Sequence, residues 1–200
     1  MRNYKLTGLT ALLLTLASVS WSADYAKGKQ AYDSADYETA RTEWQALADE
    51  GSADAQFGMG LLYANGFGVA LNDDEALKWY RLAADQGHAE AQCNLGVMHA
   101  NGWGVPMNDA EAFKWYRLAA EQGVTPAQIS IAKMYESGFG VELDKVQAHM
   151  WFDIAAELGD MNATDKRDGI ARSMSGEQIA EADRLSITWM ESHHSVLAKD

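Results

Sequence analysis

Only one cysteine, Cys93, stands among the 200 residues. No internal disulfide can form, so the fold must be held by packing. Basic residues are also scarce: 16 Lys and Arg against 29 Asp and Glu leave a net charge of −13. Recognition of phosphate needs clustered Lys and Arg, so nucleic acid and anionic membrane surfaces are excluded as partners. Only one apolar run is long, residues 6–19. It falls short of the roughly 20 residues that span a bilayer. No second run follows, so no membrane insertion is expected once that segment is removed.

Catalytic signatures are missing too. Five histidines are present, His88, His99, His149, His193 and His194. They form no His-Glu-x-x-His and no Cys-His cluster, so no metal site is read. His99 is expected to pack. No serine stands in a Gly-x-Ser-x-Gly frame, and Ser175-Gly176 forms no nucleophile elbow. The expectation is a protein without catalytic residues, metal or cofactor.

What is present begins with an export pattern. Arg2 and Lys5 precede the apolar run, and Ser20-Trp21-Ser22-Ala23 follows it. Small residues at Ser20 and Ser22 suit cleavage after Ser22, giving a signal peptide over 1–22. No cysteine follows the run, so no lipid anchor is expected. The style is bacterial, and the predicted destination is the periplasm or the outside. Losing Arg2 and Lys5 leaves 14 of the 16 basic residues against 29 acidic ones, a net charge of about −15.

The dominant feature is a period. "NGFGV" at 65–69, "NGWGV" at 101–105 and "SGFGV" at 137–141 lie 36 residues apart. Trp79, Trp115 and Trp151 keep the same spacing. Repeats of this length mark stacked arrays. Written beneath one another without gaps, 53–88 and 89–124 agree at 22 of 36 positions. Ala55/Ala91/Ala127, Gln56/Gln92/Gln128, Gly66/Gly102/Gly138 and Gly87/Gly123/Gly159 recur in all three copies.

Each copy reads as two helices. Ala55, Met59, Leu62 and Tyr63 recur at three- and four-residue steps, which marks one helix face. The Gly-x-Gly-Val loop stops that helix. Asn72-Asp73 starts the next, with a good N-cap residue and an acidic first turn; Asp73 and Asp109 are expected to recur for capping, with Asp144 doing the same one position earlier. Ala76, Trp79, Tyr80 and Ala83 form the second buried stripe, and Gly87 closes it.

Residues 23–52 read as a worn, shorter hairpin with Tyr32, Trp44 and Leu47 inside. The spacing predicts two further helices over 162–173 and 176–192, a cap with tail filling 161–200. A stacked array needs such a polar end for solubility.

The pattern Ala-Gln-x-x-x-Gly-x-x-Tyr-x-x-Gly-x-Gly-Val, then Asp-x-x-x-Ala-x-x-Trp-Tyr-x-x-Ala-Ala-x-x-Gly, resembles the Sel1-like repeat, a relative of the tetratricopeptide repeat. The resemblance is strong over 53–88, 89–124 and 125–160, and weak on either side. Departures are mild: Gly60 and Gly96 become Ala132, Tyr63 and Tyr135 become His99, and Tyr80 and Tyr116 become Phe152. The resemblance implies an all-α, right-handed α-solenoid of helix-turn-helix repeats with a C-terminal helical cap. It also implies a scaffold or adaptor for another protein or peptide. Members linked to β-lactam chemistry carry paired cysteines in each repeat, and this chain has one.

The glycine loops read as turns. A dinucleotide loop needs a preceding strand and a third glycine. Here a helix precedes, and Leu71, Met107 and Leu143 hold the third position. Two candidate partner surfaces follow. One is a row on the first helices: Phe57, Leu61, Cys93, Val97, Ile129 and Lys133, expected to line an apolar concave groove for a peptide. The other is the loop aromatics Phe67, Trp103 and Phe139, an edge able to stack on a partner or on cell-wall glycan.

Overall fold

The computed structural model describes residues 25–193. The expected signal peptide and the last seven residues, 194–200, lie outside the described residues. Among the described residues all regular structure is helical. Helix α1 runs over 25–33. It is followed by α2 (Tyr37–Asp49), α3 (Ala53–Asn65), α4 (Asp73–Asp85), α5 (Ala89–Asn101) and α6 (Asp109–Glu121). Then come α7 (Thr125–Ser137), α8 (Lys145–Glu157), α9 (Met161–Ala171) and α10 (Gly176–Ser192). Contacts divide the chain into two compact units, the first ending at Ala83 and the second starting at Ala84.

The turns follow from local chemistry. Gly66, Gly102 and Gly138 cap α3, α5 and α7 in the left-handed conformation, with φ of 68°, 72° and 76°. Their N–H groups donate to Leu62, Met98 and Met134 carbonyls, satisfying groups that a helix end leaves open. The next helices are capped by Asn72, Asn108 and Asp144, which accept from the N–H groups of Glu75, Glu111 and Gln147 at 3.1 Å each. These three residues share one register. The caps expected at Asp73 and Asp109 are instead first-turn acids, and Asp144 is in register after all. The amide oxygen of Asn does the cap's work, and the acid behind it faces the positive helix end.

In the first unit the core is built around Trp44 on α2. Its indole is buried and donates from Nε1 to the Tyr25 carbonyl at 3.3 Å. A Cβ at Gly28 or at Gly58 would overlap this ring. Trp44 therefore needs bare backbone on both α1 and α3. Ala40, Leu47, Ala55, Met59 and Leu62 complete the cluster. Gly60 likewise leaves room for the Tyr80 ring.

The second unit repeats the device. A Cβ at Gly96 would meet Tyr116. In the third copy the two corresponding positions change together: Ala132 replaces the glycine and Phe152 the tyrosine, and both are fully buried. These positions pair across the hairpin in the first two copies, but phenylalanine keeps the ring atoms that crowd a Cβ there, so the change at 152 does not by itself make room for the Ala132 methyl. Ile131, Trp151 and Ile154 join the same core, as does Trp189 from α10, whose ring meets Trp151 edge-on at 5.5 Å. Helices α9 and α10 thus close the unit through α8, and Ser175 starts α10 with a full capping box.

Candidate functional site

The first-helix row is divided by burial. In the first unit Phe57 and Leu61 are half-buried, and the Phe57 ring lies 5.8 Å from Tyr80. In the second unit Cys93 is only 8% exposed. Burial, with Glu90 adding to it, pushes its thiol up to about 11. Val97 and Ile129 are half-buried and packed on the core, while Lys133 is exposed. The apolar members of this row in the second unit are largely committed to packing.

The loop aromatics divide differently. Phe67 stacks on Tyr37 with ring centroids 4.4 Å apart and planes 12° from parallel, and it packs on the first unit's core. Trp103 and Phe139 are exposed, by 50% and 65%. The same column therefore holds one packed ring and two displayed ones.

The two displayed rings belong to neighbouring loops. Gly140 has φ +71°, and a Cβ there would overlap the Asp109 carbonyl. The α7–α8 loop is thereby pressed against the start of α6, just beyond the α5–α6 loop. Met107 and Leu143, one loop position from Asn108 and Asp144, are 70% and 54% exposed. The second unit thus presents Trp103, Met107, Phe139 and Leu143 along one edge. Sequence reasoning singled out the rings and passed over the two aliphatic residues. Their signal was a large apolar residue repeated every 36 positions at a loop site.

The histidines among the described residues have structural places, while His194 lies outside them. His88 caps α5, its Nδ1 accepting from the Ala91 N–H at 3.3 Å. His99 and His149 are buried, and His193 stacks on Trp189 at 4.2 Å. Among the described residues no three His, Cys, Asp or Glu side chains are grouped to hold a metal. No helix there is long and apolar enough to cross a membrane.

One charged network was not legible beforehand. Asp153 on α8 accepts from Arg167 Nη1 of α9 at 2.9 Å and from Ser186 Oγ of α10 at 2.7 Å. Its members are 14 and 33 residues apart and match no motif.

Comparison with known proteins agrees with this architecture. The Sel1 repeat model matches residues 53–88, 89–124 and 125–160. A Sel1 repeat protein from Oxalobacter formigenes is 39% identical with a TM-score of 0.60, over 64% of this chain and 96% of that one. The protective antigen c5321 of uropathogenic Escherichia coli, which displays an SLR fold, is 28% identical with a TM-score of 0.62. That likeness covers 90% of this chain and 47% of the antigen, so this chain spans about half its length. No curated protein matches. Three in-register helix-turn-helix copies, caps in one register and the matching family model lead to one conclusion: the chain belongs to the Sel1 repeat family, whose α-solenoids generally serve as protein-interaction scaffolds.

Proposed function

We propose that this chain is an exported, non-catalytic scaffold of the bacterial cell envelope that docks a protein partner on the loop edge of its second unit. The observation that carries the reading is the joint exposure of Trp103, Met107, Phe139 and Leu143 on adjacent loops. Large exposed apolar residues gathered on neighbouring loops mark interaction sites, and aromatic residues and Met are enriched where proteins meet. Export rests on the leader pattern at 1–22. Absence of catalysis rests on the family's scaffold character and on histidines and a cysteine that serve the fold.

The first helices compete for that role, each unit by itself: Phe57 and Leu61 in the first, and Val97 and Ile129 in the second, keep part of their area free, and Lys133 is exposed. A second reading assigns the edge to cell-wall glycan. It draws on the exposed rings of Trp103 and Phe139, whose faces suit sugar stacking.

One experiment separates these. Crosslinking capture from envelope extract is run with the natural chain, with Trp103→Ser/Phe139→Ser, and with Leu61→Glu/Val97→Glu. Sedimentation with purified peptidoglycan runs alongside. A protein lost only with the loop variant supports the proposal. Loss only with the first-helix variant moves the site to that row. Co-sedimentation with peptidoglycan, abolished by the loop variant, replaces a protein partner with glycan.

A further inference from the structure

A cavity of about 650 Å³ opens between α8, α9 and α10, and none of the loop-edge residues lines it. Its lining carries four carboxylates, Asp153, Glu157, Asp168 and Asp183, against one guanidinium, Arg167. Ile179, Ile187 and Met190 supply an apolar wall.

The one cation is already held. Arg167 donates to Asp153 at 2.9 Å, and its Nε and Nη2 donate to Asp168 Oδ1 at 3.0 and 2.9 Å. Asp153 spends its second oxygen on Ser186. The Asp183 side chain stands apart from that network, although its backbone carbonyl accepts from Ser186 Oγ at 3.0 Å. Its Oδ1 lies 3.9 Å from His149 Nδ1, beyond hydrogen-bond distance.

His149 is the unusual member. The residue is 4% exposed and lines the cavity, yet its Nδ1 is buried without a hydrogen-bond partner. An unpaired buried nitrogen is costly in free energy and therefore rare. With the Nδ1 lone pair free, the ring nitrogen and the carboxylate oxygen are two acceptors 3.9 Å apart. One donor placed at the cavity side would span them once the imidazole turns slightly toward it, since Nδ1 itself carries almost no exposed surface. A tetrahedral ammonium fits that place, since it can donate to both at about 2.8 Å. A carboxylate or phosphate does not, because it brings no donor and meets three further carboxylates. The carboxylates are not grouped as metal ligands. The apolar wall adds a berth for an alkyl stem, as lysine-type stems lie along apolar surface with the charged head on polar groups.

We propose that the cavity between α8, α9 and α10 binds a primary alkylammonium group, its head between His149 Nδ1 and Asp183 and its stem on Ile179, Ile187 and Met190. The source is either a free alkylamine or a lysine side chain of a partner. This site is independent of the loop edge, and neither assignment needs the other.

The test is titration of the full chain, labelled with 15N at histidine, with n-pentylamine and with n-pentanol as the neutral mimic. A parallel pair is N-acetyl-lysine amide and N-acetyl-norleucine amide. Pentylamine is expected to shift the His149 ring nitrogen signal in a saturable way, and pentanol is expected not to. Asp183→Asn is expected to weaken the amine at least tenfold. Its parent side chain is half exposed, so the fold should persist, as circular dichroism will show. Saturation by pentylamine with no response to the lysine amide identifies a free amine as ligand; response to both identifies a lysine side chain as sufficient. Equal shifts with pentylamine and pentanol would overturn the proposal, as would unchanged affinity in Asp183→Asn or no shift with either amine. Should Asp183→Asn unfold, Ile187→Lys, at an exposed wall position, serves instead: a tethered ammonium is expected to abolish pentylamine binding, and unchanged binding sinks the site.

Discussion

The side-chain amide of Gln128 donates to the carbonyl of Ala120 at 3.3 Å, eight residues earlier and across the turn between two helices. Gln92 does the same to Ala84 at 3.2 Å, and Gln56 to Ala48 at 3.1 Å. Each carbonyl also accepts the N–H of the glycine that closes its helix, Gly123, Gly87 or Gly51. One buried glutamine per repeat therefore tethers the start of a first helix to the end of the helix before it. This is why the glutamine column recurs in a largely apolar interior.

Gln128→Met should remove that tether while keeping the side chain's length. The Ala120 carbonyl retains Gly123, and methionine also removes the unpaired buried Oε1 of Gln128, so the loss stays at the low end of one net hydrogen bond, about 0.5 kcal/mol. Urea unfolding followed by far-UV circular dichroism measures it. Equal stability of the two chains would show that the tether contributes nothing.

Gly140 and Gly159 make different demands on their alanine variants. Both have positive φ, +71° and +96°, and nothing lies within 4 Å of a Cβ at Gly159. Gly159→Ala should lose about 1–2 kcal/mol, the penalty of a left-handed alanine. Gly140→Ala carries that penalty and also drives a methyl into the Asp109 carbonyl, so its midpoint should fall further. If Gly159→Ala proves the more damaging, the loop does not seat on α6 as described.

Cys93 should be inert in the folded protein. Burial raises its thiol to about 11, so little thiolate exists near neutral pH, and the sulfur is screened from solvent. A colorimetric thiol reagent at pH 8 should react only after denaturant is added. Stoichiometric reaction with the folded chain within the mixing time contradicts the burial.

The chain should lose stability through His149 on mild acidification. Burial lowers its pKa below the ordinary 6.5, and Arg167 acts in the same direction. Asp183, Asp153 and Asp168 oppose the shift but do not cancel it. The unfolded state therefore binds this proton more readily than the folded state. The contribution is fully present above pH 6.5 and drains as pH falls below it toward the folded pKa. Unfolding free energy measured from pH 7.5 to 5.5 should fall more steeply for the natural chain than for His149→Gln. Parallel curves would place the imidazole in solvent.

Much of this molecule can be read from its residues in order. A period of 36, a glycine at each first-helix end and a short polar residue before each second helix are local signals. They specify helices, turns and hairpins, because capping and left-handed backbone depend on neighbours within a few residues. The slip over Asp73 and Asp109 was of that local kind, one residue wide: both Asn and Asp can cap, and only the backbone settles which one does.

Other features depend on what each repeat meets. Phe67, Trp103 and Phe139 occupy one column and look interchangeable in the sequence. Phe67 finds Tyr37 beneath it, whereas Trp103 and Phe139 stay largely in solvent. Periodicity describes what the copies share, and this difference lies in what they do not share. The cavity at the C-terminal end is further from view. His149, Arg167 and Asp183 come from three helices with no period between them, and their chemistry exists only because α9 and α10 fold back on α8. The amino-acid order determined the repeat and its hairpins, since these follow from short-range backbone and capping forces. Only the tertiary structure decided which rings face water and which charged groups meet, since those outcomes turn on packing between helices far apart in the chain.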